Sequence, residues 1–201
     1  MIFMKLLQVQ DPHFLPHCGC DLQLTLNRGE ALILVGENGI GKSTLMKVLY
    51  SSLKPEERVV VEQRTSEYFF DRKLETLKNF FLSGNLPHFD EQAFDELWRA
   101  FGLEAREDRQ ISQLSGGESQ ALKLTLALCK ETSFYLLDEP SQFLDDHRRK
   151  ILAVYLLKLL EKQKSILIIE HNRHWIPRGW RVQDLVLRND TLTLGDRWTI
   201  S

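Results

Sequence analysis

The residues with the clearest chemistry form a glycine-rich loop in the first quarter of the chain. They are Gly36, Glu37, Asn38, Gly39, Ile40, Gly41, Lys42, Ser43 and Thr44, which fit the pattern G-x-x-x-x-G-K-[ST]. The backbone N–H groups of such a loop, with the positive end of the helix that follows it, can bind a polyphosphate. Lys42 would reach the β- and γ-phosphates, and the Ser43 hydroxyl would complete a Mg²⁺ shell. The loop therefore predicts a nucleotide site.

Two acids and a histidine follow further apolar runs. Asp138 and Glu139 come directly after the run 134–137, and His171 comes shortly after the run 165–169. The carboxyl ends of parallel strands form the edge at which α/β proteins place their sites. In a chain with a phosphate loop, two acids at that edge indicate a metal-linked carboxylate and a general base.

A second glycine pair lies at the start of an apolar helical pattern. Leu114 and Ser115 precede Gly116 and Gly117, and Glu118 follows them. Small residues at a helix N-terminus leave backbone N–H groups open to an anion. This stretch is a second candidate for phosphate contact.

The elements that must position these residues are short apolar strands separated by helical patterns. The predicted strands are 6–9, 22–26, 31–35, 59–63, 134–137 and 165–169, with a closing hairpin at 185–188 and 191–194. Helices are predicted at 44–52 and 146–163, and the segment 64–110 has helical periodicity without a strand pattern. Strands that alternate with helices predict an α/β fold with a mostly parallel sheet.

Two aromatic positions and one polar cluster each leave two interpretations open. Phe14, in the connection between the first two strands, would stack on an adenine ring or pack in the core. The aromatics Tyr68–Phe70 are assigned to the core in preference to an exposed docking surface. His13, His17, Cys18 and Cys20 have the chemistry to bind Zn²⁺, but one short segment rarely supplies all four ligands, so a turn is favoured.

Composition restricts the class of protein and of partner. The chain has 201 residues, 43% of them hydrophobic, and a net charge of −2. A chain of that size can bury one hydrophobic core. Its net charge produces no positive surface potential over the whole protein, so no direct nucleic-acid contact is expected. No apolar run approaches the ~20 residues that cross a bilayer, and the N-terminus lacks a signal-peptide pattern. We therefore expect a cytoplasmic location, with any membrane role exerted through a partner.

Taken together, the motifs resemble those of the ATP-binding cassette (ABC) family, in the family's order and over nearly the whole chain. Besides the phosphate loop, Gln63 falls at the Q-loop, 114–118 at the signature motif and 134–138 at the Walker B strand. The segment 141–145 falls at the D-loop and His171 at the switch histidine. The resemblance implies a single cassette over 1–201. Residues 1–63 and 111–201 would form a RecA-like P-loop core with a small, trimmed antiparallel β-subdomain, and about 64–110 a helical subdomain.

The resemblance also implies the catalytic roles. Two cassettes would pair head to tail around ATP, so that Ser115, Gly116 and Gly117 bind the γ-phosphate held by the other copy. Asp138 would hold Mg²⁺ through water, and Glu139 would activate the attacking water. Gln63 would contact metal and water, His171 would contact the γ-phosphate, and Asp145 would shape the interface.

The function that this resemblance favours is the ATPase subunit of an ABC transporter. It would pair with an identical or paralogous cassette and drive a separate transmembrane permease, lying on the cytoplasmic face of the membrane. The alternative is a soluble ABC ATPase that acts on a ribosome, a nucleic acid or a protein complex. Two departures from the family are the glutamate at Glu118, where glutamine is usual, and the short interval between Gly36 and Gln63.

Overall fold

Strands and helices alternate through the part of the chain that this computed structural model describes, which is residues 4–15, 18–37, 39–51, 58–60, 71–83, 86–171, 174–188 and 191–199. The strands there are β1 (Met4–Leu15), β2 (Cys18–Asn27), β3 (Ala31–Val35), β4 (Arg58–Val60), β5 (Phe134–Asp138), β6 (Ser165–Glu170), β7 (Arg181–Arg188) and β8 (Thr191–Thr199). The helices are α1 (Lys42–Ser51), α2 (Leu74–Ser83), α3 (Glu91–Ala100), α4 (Gly116–Leu128) and α5 (Asp146–Glu161), with 3-10 turns at Glu104–Arg106 and Ile111–Gln113.

All eight strands belong to one sheet, in the order β1-β2-β8-β7-β3-β6-β5-β4. Strands β4, β5, β6, β3 and β7 pair in parallel, whereas β1 with β2 and β7 with β8 pair antiparallel. The fold is therefore the expected P-loop α/β class with a mostly parallel sheet. The antiparallel strands continue that sheet, since β2 joins β8 by a short parallel pairing.

Register brings the ends of three central strands to one edge. Val35 pairs with Glu170, and Asp138 pairs with Ile169. The residues that follow β3, β5 and β6 therefore emerge side by side, as the rule for parallel sheets requires. This edge carries the phosphate loop, Glu139 and His171.

Alternation along the buried strands separates two apolar cores. On β3, Ile33 and Val35 face a core shared with α3, α4 and α5, whereas Leu32 and Leu34 face a core shared with α1 and β2. Helices α3, α4 and α5 thus pack on one face of β3. Helix α1 and the apolar side chains of β2 pack on the other face. Burial on both faces explains why these strands are continuous apolar runs.

The helix boundaries follow from identifiable caps. The Asp90 side chain accepts a hydrogen bond from the Ala93 N–H at 2.9 Å and begins α3, and Gly102 follows its end at φ 75°. Trp98 on α3 is fully buried and its Nε1 donates to Glu107 at 2.9 Å. The indole therefore fixes α3 against the chain that leads to α4.

Five expectations about element boundaries were wrong. β2 begins at Cys18, so Cys18 and Cys20 lie in a strand, as His13 does in β1, and not in the turn that was favoured. β1 extends to Leu15, so Phe14 lies in a strand and not in a connection. Pairing with β2 prolongs the strand, and a register shift between Asp11 and Leu15 accommodates Pro12, which has no N–H to donate. Helix α5 ends at Glu161, two residues before the predicted end at Gln163, which adopts φ 60°.

The other two corrections concern the sheet and α1. The predicted closing hairpin is longer than expected, and its first strand, β7, runs parallel to β3. β6 is therefore not the last parallel strand. β7 is part of the same sheet, and its side chains Val182 and Leu185 are buried. Helix α1 begins at Lys42, two residues earlier than predicted.

Several expectations fall outside the described residues. They are Asn38, Gln63, Tyr68–Phe70, His17 and the side chains of His13, Phe14 and Cys18. Cys20 and Cys129 are buried. Among the side chains that are described, no group of three or more potential ligands could hold a metal ion. The zinc hypothesis is not tested, because three of its four proposed ligands lie outside the described side chains. Of the helices described, none combines the length and apolar composition needed to cross a bilayer.

Candidate nucleotide site

The phosphate loop is shaped by its glycines and its lysine. Gly39 and Gly41 have φ angles of 81° and 97°, a region that favours glycine. Lys42 is buried, and its Nζ donates to the carbonyl oxygens of Gly36 at 3.0 Å and Glu37 at 2.9 Å. The ammonium group thus lies inside the loop, where the oxygens of a bound phosphate would replace these carbonyl acceptors.

Helix α1 offers its N-terminus to the same place. It begins at Lys42, and its first turn contains no acidic residue. Ser43 is exposed and Thr44 is half-buried. Because the first turn carries no carboxylate of its own, its N–H groups are suited to an anion.

The second part of the site is the loop after β5. Glu139 has φ 44°, a left-handed conformation that is costly for a non-glycine residue, and its N–H donates to the Ile169 carbonyl at 2.8 Å. Its Oε1 lies 3.5 Å from His171 Nδ1. The structure thus places the predicted general base and the predicted switch histidine beside each other.

Asp138 lies in an electrostatic environment that fits a divalent cation. Burial and then the nearby carboxyl group of Glu139 raise the pKa of Asp138 to about 6; Lys42 opposes this, and Glu170 adds a smaller effect in the same direction as Glu139. Several acids facing one lysine leave an excess of negative charge that a cation would offset. Ser43 and Asp138 therefore fit Mg²⁺, which prefers few protein oxygens together with phosphates and waters.

The raised pKa of Asp138 has a consequence for stability. An acid whose folded pKa exceeds its unfolded value costs stability as pH rises from about 4 to about 6, and the cost stays constant above that. Asp138→Asn should therefore stabilise the nucleotide-free chain by on the order of 1–2 kcal/mol at pH 8, with little effect at pH 4. Chemical unfolding of both chains at the two pH values measures this. An equal difference at both would contradict it.

The signature loop is held by a reciprocal cap. The Ser115 hydroxyl accepts from the Glu118 N–H at 3.3 Å, and the Glu118 carboxylate accepts from the Ser115 N–H at 2.9 Å. The other oxygen of Glu118 accepts from Arg106 Nε at 2.5 Å. The Arg106 guanidinium and then the Ser115 N–H hold the pKa of Glu118 at about 2. Glu118 thus fixes Ser115 and exposed Gly116 at the start of α4.

Replacing Glu118 tests this arrangement. Glu118→Gln should destabilise the chain by on the order of 2 kcal/mol at pH 7, because the charged hydrogen bond to Arg106 is lost. A depressed pKa gives stability above the unfolded pKa of the acid, and that stability is lost as pH falls towards the folded value. The difference between the two chains should therefore shrink by about 1 kcal/mol at pH 3.5. Urea unfolding at pH 7 and 3.5 measures it, and a pH-independent difference would refute the role of the charge.

Close backbone approach explains the glycine pair. A Cβ on Gly117 would lie 2.7 Å from the Phe143 carbonyl oxygen, whereas one on Gly116 would lie 3.5 Å from the Phe143 ring. Phe143 has φ 62° and is 68% exposed. The segment after β5 therefore packs its backbone directly on the signature loop of the same chain.

Two further side chains join these parts, and the sequence did not identify them. Buried Gln120 on α4 donates from Nε2 to the Pro140 carbonyl at 3.2 Å. Arg148 on α5 donates from Nε to the Phe101 carbonyl at 3.3 Å and pairs with Asp145, the N-cap of α5. Both are long polar side chains on helices, which usually reach solvent, so no sequence signal marked them.

The predicted site residues fall into three groups. Lys42, Asp138, Glu139 and His171 come together at the sheet edge beside the loop 36–44. Ser115 and the glycine pair form a separate surface at α4. Gln63, Asn38 and the Phe14 side chain lie outside the described residues.

Comparisons with known proteins agree with this geometry. The family model for the ABC transporter matches residues 20–142. The ABC transporter E family member 3 of Arabidopsis thaliana is 31% identical over 170 residues, covering 76% of this chain and 93% of that protein. The taurine import ATP-binding protein TauB of Pseudomonas aeruginosa is 32% identical over 170 residues, covering 76% of this chain and 65% of that protein.

A solved assembly of ribosome-bound archaeal Pelota and ABCE1 matches 99% of this chain and 35% of the matched chain, with a TM-score of 0.76 and 23% identity. At that identity the likeness supports the fold alone. The chain spans only 26% to 39% of the length of several other curated relatives. Fold, motifs and family match agree, and the chain belongs to the ABC transporter family of ATPases, which bind and hydrolyse ATP.

Proposed function

We propose that this chain is the ATP-hydrolysing cassette of an ABC transporter, which pairs head to tail with a second cassette and drives a separate transmembrane partner. The observation that carries this is the division of the site into two halves. Among the described residues, the Lys42 ammonium donates only within its own loop, and the Ser115 hydroxyl and N–H both bond to Glu118. In the proposed pair, the loop with Lys42 would hold the phosphates from one side, and the loop with Ser115 of the other cassette would contact them from the opposite side.

The signature loop is prepared to receive a phosphate from another copy. The Ser115 hydroxyl accepts one hydrogen bond from the Glu118 N–H, so its own proton remains available to donate. The N–H groups of Gly116 and Gly117 lie in the first turn of α4 and have no intrahelical acceptor. Three donors at one helix N-terminus suit the γ-phosphate of ATP bound to the opposite loop.

Within the pair, each residue at the sheet edge has a task. Lys42 would neutralise charge on the β- and γ-phosphates, and Glu139 would orient and deprotonate the attacking water. His171 would hold the γ-phosphate from beside Glu139. Ser43, Asp138 and Gln63 would hold Mg²⁺, which supplies charge neutralisation on the phosphate oxygens when bound.

The transport role rests on similarity to dedicated transport ATPases. TauB is named as a taurine import protein, and this chain matches it over 65% of its length. We further propose that 1–63 and 111–201 act as the RecA-like core, and that about 64–110 acts as a helical subdomain that meets the membrane partner. The described part of that segment holds α2 and α3, with no strand longer than an isolated bridge.

A second candidate is a soluble ABC ATPase that acts on a ribosome or another complex. The observation that favours it is the E family relative, which this chain matches over 93% of that protein's length; the ribosome-bound neighbour shares the fold. Native co-purification separates the two functions. The tagged Glu139→Gln chain is recovered from cells with ATP in mild detergent, with Lys42→Ala as the control that should not bind ATP. A membrane protein at one-to-one stoichiometry supports transport, whereas recovery only with ribosomes would overturn it.

A further inference from the structure

Glu170 is a buried acid to which the catalytic roles above assign no task. It ends β6, is fully buried, and directly precedes His171. Glu170 pairs with Val35, which precedes the phosphate loop. The residue before it, Ile169, pairs with Asp138. A carboxyl group is costly to bury at such a position unless its oxygens are satisfied.

The two oxygens of Glu170 are directed at two parts of the site. Oε1 accepts from the Ser141 N–H at 3.0 Å, and Oε2 accepts from the His171 N–H at 3.3 Å. Pro140 has no N–H, so the Ser141 N–H is the first donor after Glu139. One side chain therefore bridges the loop that carries the general base and the residue that carries the switch imidazole.

The bridge lies where the backbone needs support. Glu139 adopts φ 44°, and such a conformation persists only when surrounding contacts over-determine it. The described hydrogen bonds to the backbone of this loop are Glu139 N–H to Ile169, Gln142 N–H to Glu139, Leu144 N–H to Ser141, Gln120 to Pro140, and Ser141 N–H to Glu170. Of these, the Glu170 contact alone comes from a side chain that also bonds to the switch residue, whose imidazole lies beside the Glu139 side chain.

We propose that Glu170 is a positioning residue for ATP hydrolysis, holding Glu139 and His171 in one fixed arrangement. The proposal rests on the roles proposed above for Glu139 and His171, because Glu170 is fully buried and would act through them. Without its carboxyl group, the loop after β5 would relax from the left-handed conformation and Glu139 would move relative to the bound phosphate. A displacement of about 1 Å at a catalytic group can cost a factor of roughly 100 in rate.

The first test is kinetic and uses the full chain over a range of concentrations. Glu170→Ala should lower kcat by roughly 10- to 100-fold, while nucleotide affinity changes by less than about threefold, because Lys42 bonds within its own loop. Glu170→Gln should fall between, since glutamine keeps one acceptor oxygen while its NH2 group cannot accept from the second N–H. The control is Ser165→Ala, which removes a buried hydrogen bond to the Asn27 carbonyl at the opposite end of the same strand. The control should keep the normal kcat.

Two further measurements distinguish positioning from general destabilisation. In a Glu139→Gln background, adding Glu170→Ala should change the residual rate by less than about twofold, because residues that act through one group are not additive. Amide exchange at Ser141 and His171 should be at least about tenfold faster in Glu170→Ala and unchanged in Ser165→Ala. A kcat within twofold of normal, an additive loss, or an equal loss in the control would overturn the proposal.

Discussion

Replacing Glu139 with glutamine should reduce ATP hydrolysis by at least about 100-fold while ATP binding persists, since a positioned general base contributes 10²–10⁴ in rate. Glutamine has nearly the same shape, so it can keep the position beside His171 at the end of β5. It cannot accept the proton of the attacking water. Binding is retained because Lys42, Ser43 and the loop glycines, which contact the phosphates in our proposal, are unchanged.

The same substitution should reveal the pairing of cassettes. With hydrolysis blocked, ATP should hold two chains together, so size-exclusion chromatography with ATP should show a dimer that the unsubstituted chain forms only transiently. Glu161→Gln, at the exposed end of α5, removes an equal charge shortly before Ser165, which pairs with the start of β5, whereas Glu139 follows the other end of β5; this variant should behave as the unsubstituted chain. Normal turnover by Glu139→Gln would show that the base has been assigned to the wrong residue.

Gly117→Ala should destabilise the chain and separate the signature loop from the segment after β5. The added Cβ would lie 2.7 Å from the Phe143 carbonyl oxygen, and backbone cannot rotate away as a side-chain end can. Overpacking of this kind costs about 1–3 kcal/mol, which for a chain of this size lowers the melting temperature by roughly 5 °C. Because Phe143 is also exposed at this surface, the displacement should weaken ATP-dependent pairing as well.

Gly116→Ala provides the matched control for that prediction. Its Cβ would meet the Phe143 ring at 3.5 Å, an ordinary contact, and alanine favours a helix more than glycine does. Thermal unfolding without nucleotide should therefore leave Gly116→Ala at or above the normal melting temperature. If both variants lost the same stability, steric contact with the Phe143 backbone would not be the reason for glycine at position 117.

The site as a whole combines strain with unfavourable charge. Glu139 and Phe143 both adopt left-handed φ angles within one short segment, and the pKa of Asp138 is raised by burial and neighbouring acids. Each feature lowers the stability of the nucleotide-free chain. Nucleotide with its cation would offset the charge, so binding should stabilise this segment more than the rest of the fold.

Sequence alone was sufficient for the features that depend on local pattern. The loop 36–44, the strand ending at Asp138 and the helix beginning at Gly116 are each defined by neighbours in sequence: glycines, an apolar run and a capping serine. Parallel-sheet geometry then predicts that the residues after β3, β5 and β6 share one edge. The family and the α/β class followed from these patterns.

Only the tertiary structure decided which distant groups meet. The parallel pairing of β7 with β3, the Arg106 contact to Glu118 and the bridge from Glu170 to Ser141 join residues far apart in the chain. Strand pairing and side-chain reach depend on the packing of whole elements, and neither leaves a periodic pattern in sequence. The motifs therefore predict where ATP would bind, whereas packing decides how the proposed catalytic groups are held.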